Sequence, residues 1–301
     1  ERAVETVERA LALHGAPVYV RHEIVHNARV CDELRAQGAV FVDEIDEVPP
    51  GSVVIFSAHG VGKRVEDDAA EAGHYVIDAT CPLVARVHHG GRRYVAEGRH
   101  LILIGHRGHP EVEGTLGQID APVSVVADRA EVEALDFPPE AKMAYVTQTT
   151  LSVSDTRGII DAIKARWPDT EGPDTRDICF ATHNRQQAVR VIAAAVDLVL
   201  VVGAQNSSNS NRLVEIARDV GRPARLLPRP EDLTEAELEG VDAVGITAGA
   251  SAPDVLVQET LARLATWRAL EIEERKVVHE DVTFRLPREI DDERHPSRLA
   301  V

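Results

Sequence analysis

Two cysteines frame this chain, because each opens a block with the same internal spacing. His109 lies 28 residues after Cys81 (81 to 109), and Ser208 lies 29 residues after Cys179 (179 to 208), each in a short polar loop. A second polar loop follows at 68 residues in the first case (Thr149) and at 72 in the second (Ser251). The region before Cys81 has the two matching loops, VHN at His26 and AHG at His59, with no cysteine ahead of them. Counting back the same interval from His26 leads just upstream of Glu1. The chain therefore reads as three blocks arranged to present three thiolates, with the first thiolate and its strand expected in a segment before Glu1. The block limits expected are 1–80, 81–178 and 179–270, with a tail at 271–301.

Within the blocks, apolar strands alternate with amphipathic helices. Val4, Val7 and Leu11 fall on one face of a helix that Gly15 and Pro17 stop. PVYVRHE, SVVIFSAHG, HYVIDATC, HLILIGHRGHP, VSVVA, MAYVTQTT, DLVLVVG, PARLL and DAVGITAGAS read as strands or strand ends. Helices are expected near 27–37, 61–72, 153–166, 184–195 and 211–220, after Cys81, and from Pro253 to about Leu270. Ser152 is a candidate cap with Asp155 at the third helical position. KVVHEDVTFRLP in the tail reads as one more strand. Val-, Ile- and Leu-rich strands separated by helices indicate an α/β fold with parallel sheets covered on both faces. Gly90-Gly91, inside a predicted helix, suggests a local bend.

Composition excludes several classes. A net charge of −17 disfavours nucleic acid or an anionic membrane as partner. No stretch reaches the roughly 18 apolar residues of a spanning helix, and no signal pattern opens the chain. Three cysteines make no disulfide framework at this length, so a cytoplasmic setting is expected.

The polar loops fall at the carboxyl ends of apolar strands, where open parallel sheets bind ligands. Cys81, followed by Pro82, and Cys179 each precede a helix, a position that favours thiolate. Two thiolates and an inferred third would suit an iron–sulfur cluster with one iron free of protein ligand; the alternative is a pair of buried core cysteines. Cys31, inside a predicted helix, is read as core. His26, His59 and His109 end strands in equivalent places, as anion donors or proton holders; a zinc site is the less favoured use. His106 has no counterpart, and His74, His88, His89, His100 and His183 are read as structural or surface. Glu111 is the candidate general acid, with Glu113 competing for the role. NSSNSN, opening a helix, and Ser251 in GAS suit an oxyanion such as phosphate.

Together HEIVHN, FSAHG, DATCPLV, GHRGHPEVEGT, TQTTLS, NSSNSNRL and TAGASAPD closely resemble the 4-hydroxy-3-methylbut-2-enyl diphosphate reductase family, in order and over nearly the whole chain. That resemblance implies a trefoil of three pseudo-equivalent α/β domains around a [4Fe–4S] cluster, with one cysteine from each. It implies reductive removal of the substrate hydroxyl as water, giving isopentenyl and dimethylallyl diphosphate, with electrons from a carrier such as ferredoxin or flavodoxin. Cys81 and Cys179 then match two cluster ligands. His26, His59, Ser207, Ser208, Asn209 and Ser251 match diphosphate contacts, with His109 lining the pocket. Glu111 matches the proton donor and Thr149 the hydroxyl beside the reacting carbon. With one ligand absent, the chain as written is expected to be impaired. The contrasting reading is a non-catalytic diphosphate-binding remnant without a stable cluster.

Overall fold

The computed structural model describes residues 2–278 and 282–291. It contains three separate sheets, all of whose strand pairs are parallel. The first has the order β2-β1-β3-β4, from β1 (Val18–Arg21), β2 (Ala39–Val42), β3 (Val53–Phe56) and β4 (Tyr75–Asp78). The second is β6-β5-β7, from β5 (His100–Ile104), β6 (Val123–Val126) and β7 (Met143–Thr147). The third is β10-β8-β9, from β8 (Leu198–Val202), β9 (Ala224–Leu227) and β10 (Val244–Ala248).

One rule generates all three. In each, the first strand lies between the second and the third, and a helix precedes it: α1 (Arg2–His14), α4 (Pro82–Ala96) and α8 (Phe180–Ala193). The trefoil-like repeat is therefore a repeat of winding, in which each crossover covers a sheet face with apolar side chains. Val7 and Ala10 on α1, Val87 and Tyr94 on α4, and Val189 and Ala193 on α8 are buried against the sheets they precede.

The units are linked by the segments beyond their third strands. β4 adds to the free edge of β3, and Glu171 bridges to the edge of β7 through Tyr145 N–H to Glu171 O (2.9 Å). Both segments then lead to a cysteine. Among the described residues β10 has a strand neighbour on one side only.

Helices α2 (Ala28–Ala36), α3 (Lys63–Glu71), α7 (Val153–Arg166), α9 (Ser208–Asp219) and α10 (Asp254–Ala265) complete the main layers. The Ser152 hydroxyl accepts the Asp155 N–H at the start of α7, as the sequence indicates. Pro253 is the cap of α10 rather than its first residue, and the helix ends at Ala265, short of Leu270. Sequence periodicity missed β2 and the short helices α5 (Pro110–Gly117) and α6 (Arg129–Glu133), each too brief to show a period.

The expected strand at KVVHEDVTFRLP is not formed: residues 276–278 and 282–287 are irregular, and the rest of it lies outside the described residues. The segment packs by side chains instead. Leu286 and Ile290 join the core of the first sheet, and Phe284 meets Phe180 with centroids 6.1 Å apart.

Two glycine contacts draw the first and second units together. A Cβ on Gly117 would stand 2.6 Å from the Gly62 Cα, and one on Gly114 would stand 2.9 Å from the Gly60 carbonyl oxygen. The loop after β3 thus lies backbone to backbone on α5. Gly91 has a packing reason too, since its Cβ would overlap Ile119 Cδ1. Gly117→Ala should lower stability by about 1–3 kcal/mol, because backbone cannot yield as a side chain can. Gly158→Ala, in α7 with nothing within 4 Å, should raise stability by about 0.5–1 kcal/mol. Thermal unfolding of both variants checks the pair; equal effects would contradict this account of the contact.

Candidate active site

The loops after the first and third strands of each sheet meet at one place. His26 comes from the loop after β1 and His59 from the loop after β3, with ring centroids 4.3 Å apart. His109, after β5, stands edge-on to both, at 5.7 Å and 6.0 Å. Each ring is fixed through Nδ1: by Glu23 for His26 (3.2 Å), by the Ser57 hydroxyl for His59 (3.2 Å), and by the Glu111 N–H for His109 (3.1 Å). The His109 Nδ1 accepts, so in the neutral ring Nε2 carries the proton. His26 Nε2 is buried with no protein partner. Burial, followed by the neighbouring imidazoles, pushes His59 well below the usual histidine range and His109 to about 4. Near neutral pH these two rings are uncharged donors.

Glu111 is 3 % exposed, in the first turn of α5 with His109 as its N-cap. Thr149, after β7, holds both its oxygens: the N–H donates to Oε1 at 2.6 Å and the hydroxyl to Oε2 at 2.8 Å. Burial outweighs these bonds, which alone would favour the anion, and raises the carboxyl to about 7. Glu113 instead bonds the Gly108 N–H at an exposed position. The Thr149 carbonyl accepts the Cys179 N–H (2.8 Å), so one residue links the buried acid to a cysteine.

Cys81 and Cys179 are the N-caps of α4 and α8, and all three cysteines are free. The Cys81 N–H bonds the Ala58 carbonyl next to His59 (3.0 Å). The Leu83 and Val84 amides at the helix start favour the Cys81 thiolate, as expected from sequence, but burial is the larger effect and pushes the thiol up. The charge of Cys179 adds to that rise, which places the two sulfurs within electrostatic reach. Cys31 is buried in α2 and bonds the Val25 carbonyl, as a core residue. Among the described residues no group of three or more His, Cys, Asp or Glu side chains converges as metal ligands would. The two thiols each stand at a helix start. In the first unit the equivalent position is the amino end of α1. There Arg2 Nη1 bonds the Ala79 and Thr80 carbonyls (2.9 and 3.0 Å), immediately before Cys81.

The third sheet contributes the hydroxyl and amide groups. Ser207 caps α9 by accepting the Ser210 N–H (3.3 Å). Ser208 receives a bond from the Thr150 hydroxyl (3.1 Å), and Ser251 donates to the His26 carbonyl (3.0 Å). Asn209 is 5 % exposed, and neither its amide nitrogen nor its amide oxygen has a protein partner. Glu23 was not singled out in the sequence, yet it joins His26 to the Asn206 amide (2.8 Å). Gln148 was missed also; it accepts the His106 N–H and donates to Thr150. Both lie inside quoted motifs, but neither residue type signals a bridging role.

Residues 1–265 match the family model described as LytB protein. The chain belongs to the LytB family. A LytB relative from Burkholderia pseudomallei, 4-hydroxy-3-methylbut-2-enyl diphosphate reductase, is 57% identical over 286 residues, 95% of this chain and 91% of that protein. The enzyme of that name from Zymomonas mobilis is 54% identical over 286 residues, 95% of this chain and 84% of its own. Among solved structures, the E-1-hydroxy-2-methyl-but-2-enyl-4-diphosphate reductase from Plasmodium falciparum superposes with a TM-score of 0.92 at 37% identity, covering 96% of this chain and 92% of that one.

A buried amide without partners destabilises a fold by about 1–3 kcal/mol. Asn209→Leu should therefore raise the unfolding midpoint of the ligand-free protein while weakening pyrophosphate binding at least tenfold. Calorimetry on the two proteins tests both halves; a less stable variant that binds pyrophosphate normally would contradict the assignment of Asn209 to the pocket.

Proposed function

We propose that this chain is a 4-hydroxy-3-methylbut-2-enyl diphosphate reductase, an oxidoreductase that converts its allylic alcohol substrate to isopentenyl and dimethylallyl diphosphate. The observation that carries the reading is Glu111: a buried carboxyl that keeps its proton to about pH 7, clasped by Thr149 beside a cysteine-capped helix. The named relatives support the substrate. The overall balance is two electrons and two protons in, one carbon–oxygen bond broken and one water out.

The diphosphate is taken by neutral His59 and His109, with His26 beside them, by Asn209, and by Ser207, Ser208 and Ser251. The open end of α9 adds its main-chain amides. Binding this remote group orients the alcohol carbon. Glu111 then protonates the departing hydroxyl. A neutral carboxyl suits this role because its proton is available without a charged acid in a dry site. When Oε2 carries that proton it donates to the Thr149 hydroxyl, so Thr149 passes protons between Glu111 and the reacting carbons. The second proton is delivered at either end of the allyl system, which accounts for two products.

Cys81 and Cys179 fit two ligand positions of a [4Fe–4S] cluster, and a thiolate at the amino end of α1 would complete the set. Such a cluster supplies electrons and Lewis acidity when bound. The electrons come from a carrier protein such as ferredoxin or flavodoxin. Three free thiols fit a reducing, cytoplasmic setting. With two of three thiolates, the 301 residues as written should hold iron weakly and turn over little.

Anaerobic reconstitution of this chain, and of one extended at its amino end by the upstream coding sequence, tests the reading. Only the extended form should bind about four irons and consume the hydroxylated diphosphate. Cys81→Ser should abolish its iron content and Cys31→Ser should leave it unchanged. Full turnover by the chain as written, or loss of iron on replacing Cys31, would overturn the ligand assignment; no turnover in either form would favour the diphosphate-binding remnant.

A further inference from the structure

Three imidazoles line the pocket, and the group that fixes each ring decides which of its nitrogens can face a ligand. The Glu111 N–H points at His109 Nδ1 (3.1 Å), so that nitrogen accepts and Nε2 keeps the proton. His59 Nδ1 meets the Ser57 hydroxyl (3.2 Å), which can donate or accept and leaves either form open. His26 Nδ1 meets Glu23 Oε2 (3.2 Å). An ionised carboxylate only accepts, so Nδ1 carries the proton there, and Nε2 of the neutral ring is a bare lone pair. That Nε2 is buried and has no protein partner. His26 and His109 are thus held in opposite forms, with ring centroids 5.7 Å apart.

The grip on His26 is built from two units. The same Glu23 oxygen accepts the Asn206 amide (2.8 Å) from the loop that opens α9. The Ser251 hydroxyl donates to the His26 carbonyl (3.0 Å), so the third unit holds the main chain of this residue as well. On the near side the chain leaves β1 through His22 at a φ of 58°, a left-handed conformation that a non-glycine residue keeps only where its surroundings impose it. The titratable groups that face the His26 ring among the described residues are Glu23, His22, His59 and His109. Burial is the first cause lowering each of the three other rings, so none of them competes for a proton near neutral pH. Arg21, next to His22, is turned to Glu44 (3.2 Å). Of the residues assigned above to the diphosphate, none is Arg or Lys, and of the three rings only that of His26 has a carboxylate bonded behind it.

We propose that Glu23 is a positioning residue that holds His26 in its Nδ1–H form, so that this ring meets the diphosphate only by taking up a proton. The proposal takes its ligand from the reductase reading and deepens it by assigning the pocket's cationic donor. Two lone pairs, one on Nε2 and one on a fully ionised phosphate oxygen, repel. A proton between them turns the contact into a charge-assisted hydrogen bond, with an imidazolium backed by Glu23 and faced by phosphate. Neutral His59 and His109 serve the rest of the anion with no change in protonation. The last ionisation of a terminal phosphate lies at about 6. Below that pH the ligand brings the proton itself, and above it the proton comes from water. Removing Glu23 should free the ring to become an Nε2–H donor like His109, and the proton requirement should vanish.

Nitrogen-15 NMR of the histidine-labelled, ligand-free chain at about pH 8 reads the ring form directly. His26, assigned by its loss in His26→Asn, should carry its proton on Nδ1, and in Glu23→Ala the proton should move to Nε2. Calorimetry with dimethylallyl diphosphate in two buffers of different ionisation enthalpy counts protons. At about pH 8.5 the unmodified chain should take up about one proton per ligand, and its affinity should fall about tenfold from about pH 8 to about pH 9, as linkage requires. Glu23→Ala should take up almost none and lose less than about twofold over that range; the cysteines are common to both proteins and cancel in the comparison. Asn206→Ala, which breaks the bridge to the third unit but leaves Glu23 on the ring, should keep the uptake. Circular dichroism checks folding, and if Glu23→Ala does not fold, the two measurements on the unmodified chain still decide. An Nε2 proton on His26 in the unmodified chain would overturn the proposal. So would a Glu23→Ala protein that binds more weakly by the same factor at every pH, the mark of a merely structural carboxylate. A chain that binds the diphosphate without proton uptake loses this proposal alone; one that binds none from about pH 6 to about pH 9 loses the reductase reading with it.

Discussion

The grip of Thr149 on Glu111 is the contact through which the site is assembled. It joins the second sheet's two loops, one carrying His109 and Glu111 and the other carrying Thr149, and the Thr149 carbonyl receives the Cys179 amide that begins the third unit. The next residue, Thr150, reaches Ser208 at the start of α9. From the other side Ser251 reaches the His26 carbonyl, and the Cys81 amide reaches Ala58. Each unit is thus bonded to the next at the residues that face the pocket. Two competing effects set the carboxyl's proton affinity, and burial dominates because the hydrogen bonds are only two.

Why three such similar units give one site, and not three, is explained by the winding. Every unit ends its first and third strands on the same side, and in the first two units the segment beyond the third strand leads on to the next unit's helix. Gly60 and Gly62 against Gly114 and Gly117 let two backbones approach where side chains would separate them. The loops differ in chemistry. The first unit gives two imidazoles, the second an imidazole, an acid and a hydroxyl, and the third hydroxyls with an amide, so a single pocket combines neutral donors with one proton source.

Much of this was legible in residue order. Strand-end loops could be found because long apolar runs such as HLILI and DLVLVV stop abruptly at glycine and polar residues. The recurrence of those loops behind Cys81 and Cys179 identified equivalent positions from residue spacing alone. Less visible were effects that depend on tertiary burial. The helix start at Cys81 suggests an easily ionised thiol, yet desolvation reverses the direction. Gly91 suggests a bend and turns out to admit Ile119. The tail has the residues of a strand but packs through Phe284, Leu286 and Ile290, a choice no local pattern encodes. Glu23 and Gln148 bridge loops distant in sequence, so their roles exist only once the sheets are placed.

The central claim is that Glu111 is a neutral acid at neutral pH, kept so by burial at the junction of these loops. Carbon-13 NMR titration of its side-chain carboxyl, assigned by comparison with Glu111→Gln, measures this directly. The account requires a midpoint near 7 in the folded protein, far above the ordinary glutamate value of 4.5, and a return to that ordinary value once denaturant unfolds the chain. A midpoint near 4.5 in the folded protein would mean that the carboxyl is already ionised when substrate arrives, and the proton-donor role would fall with it.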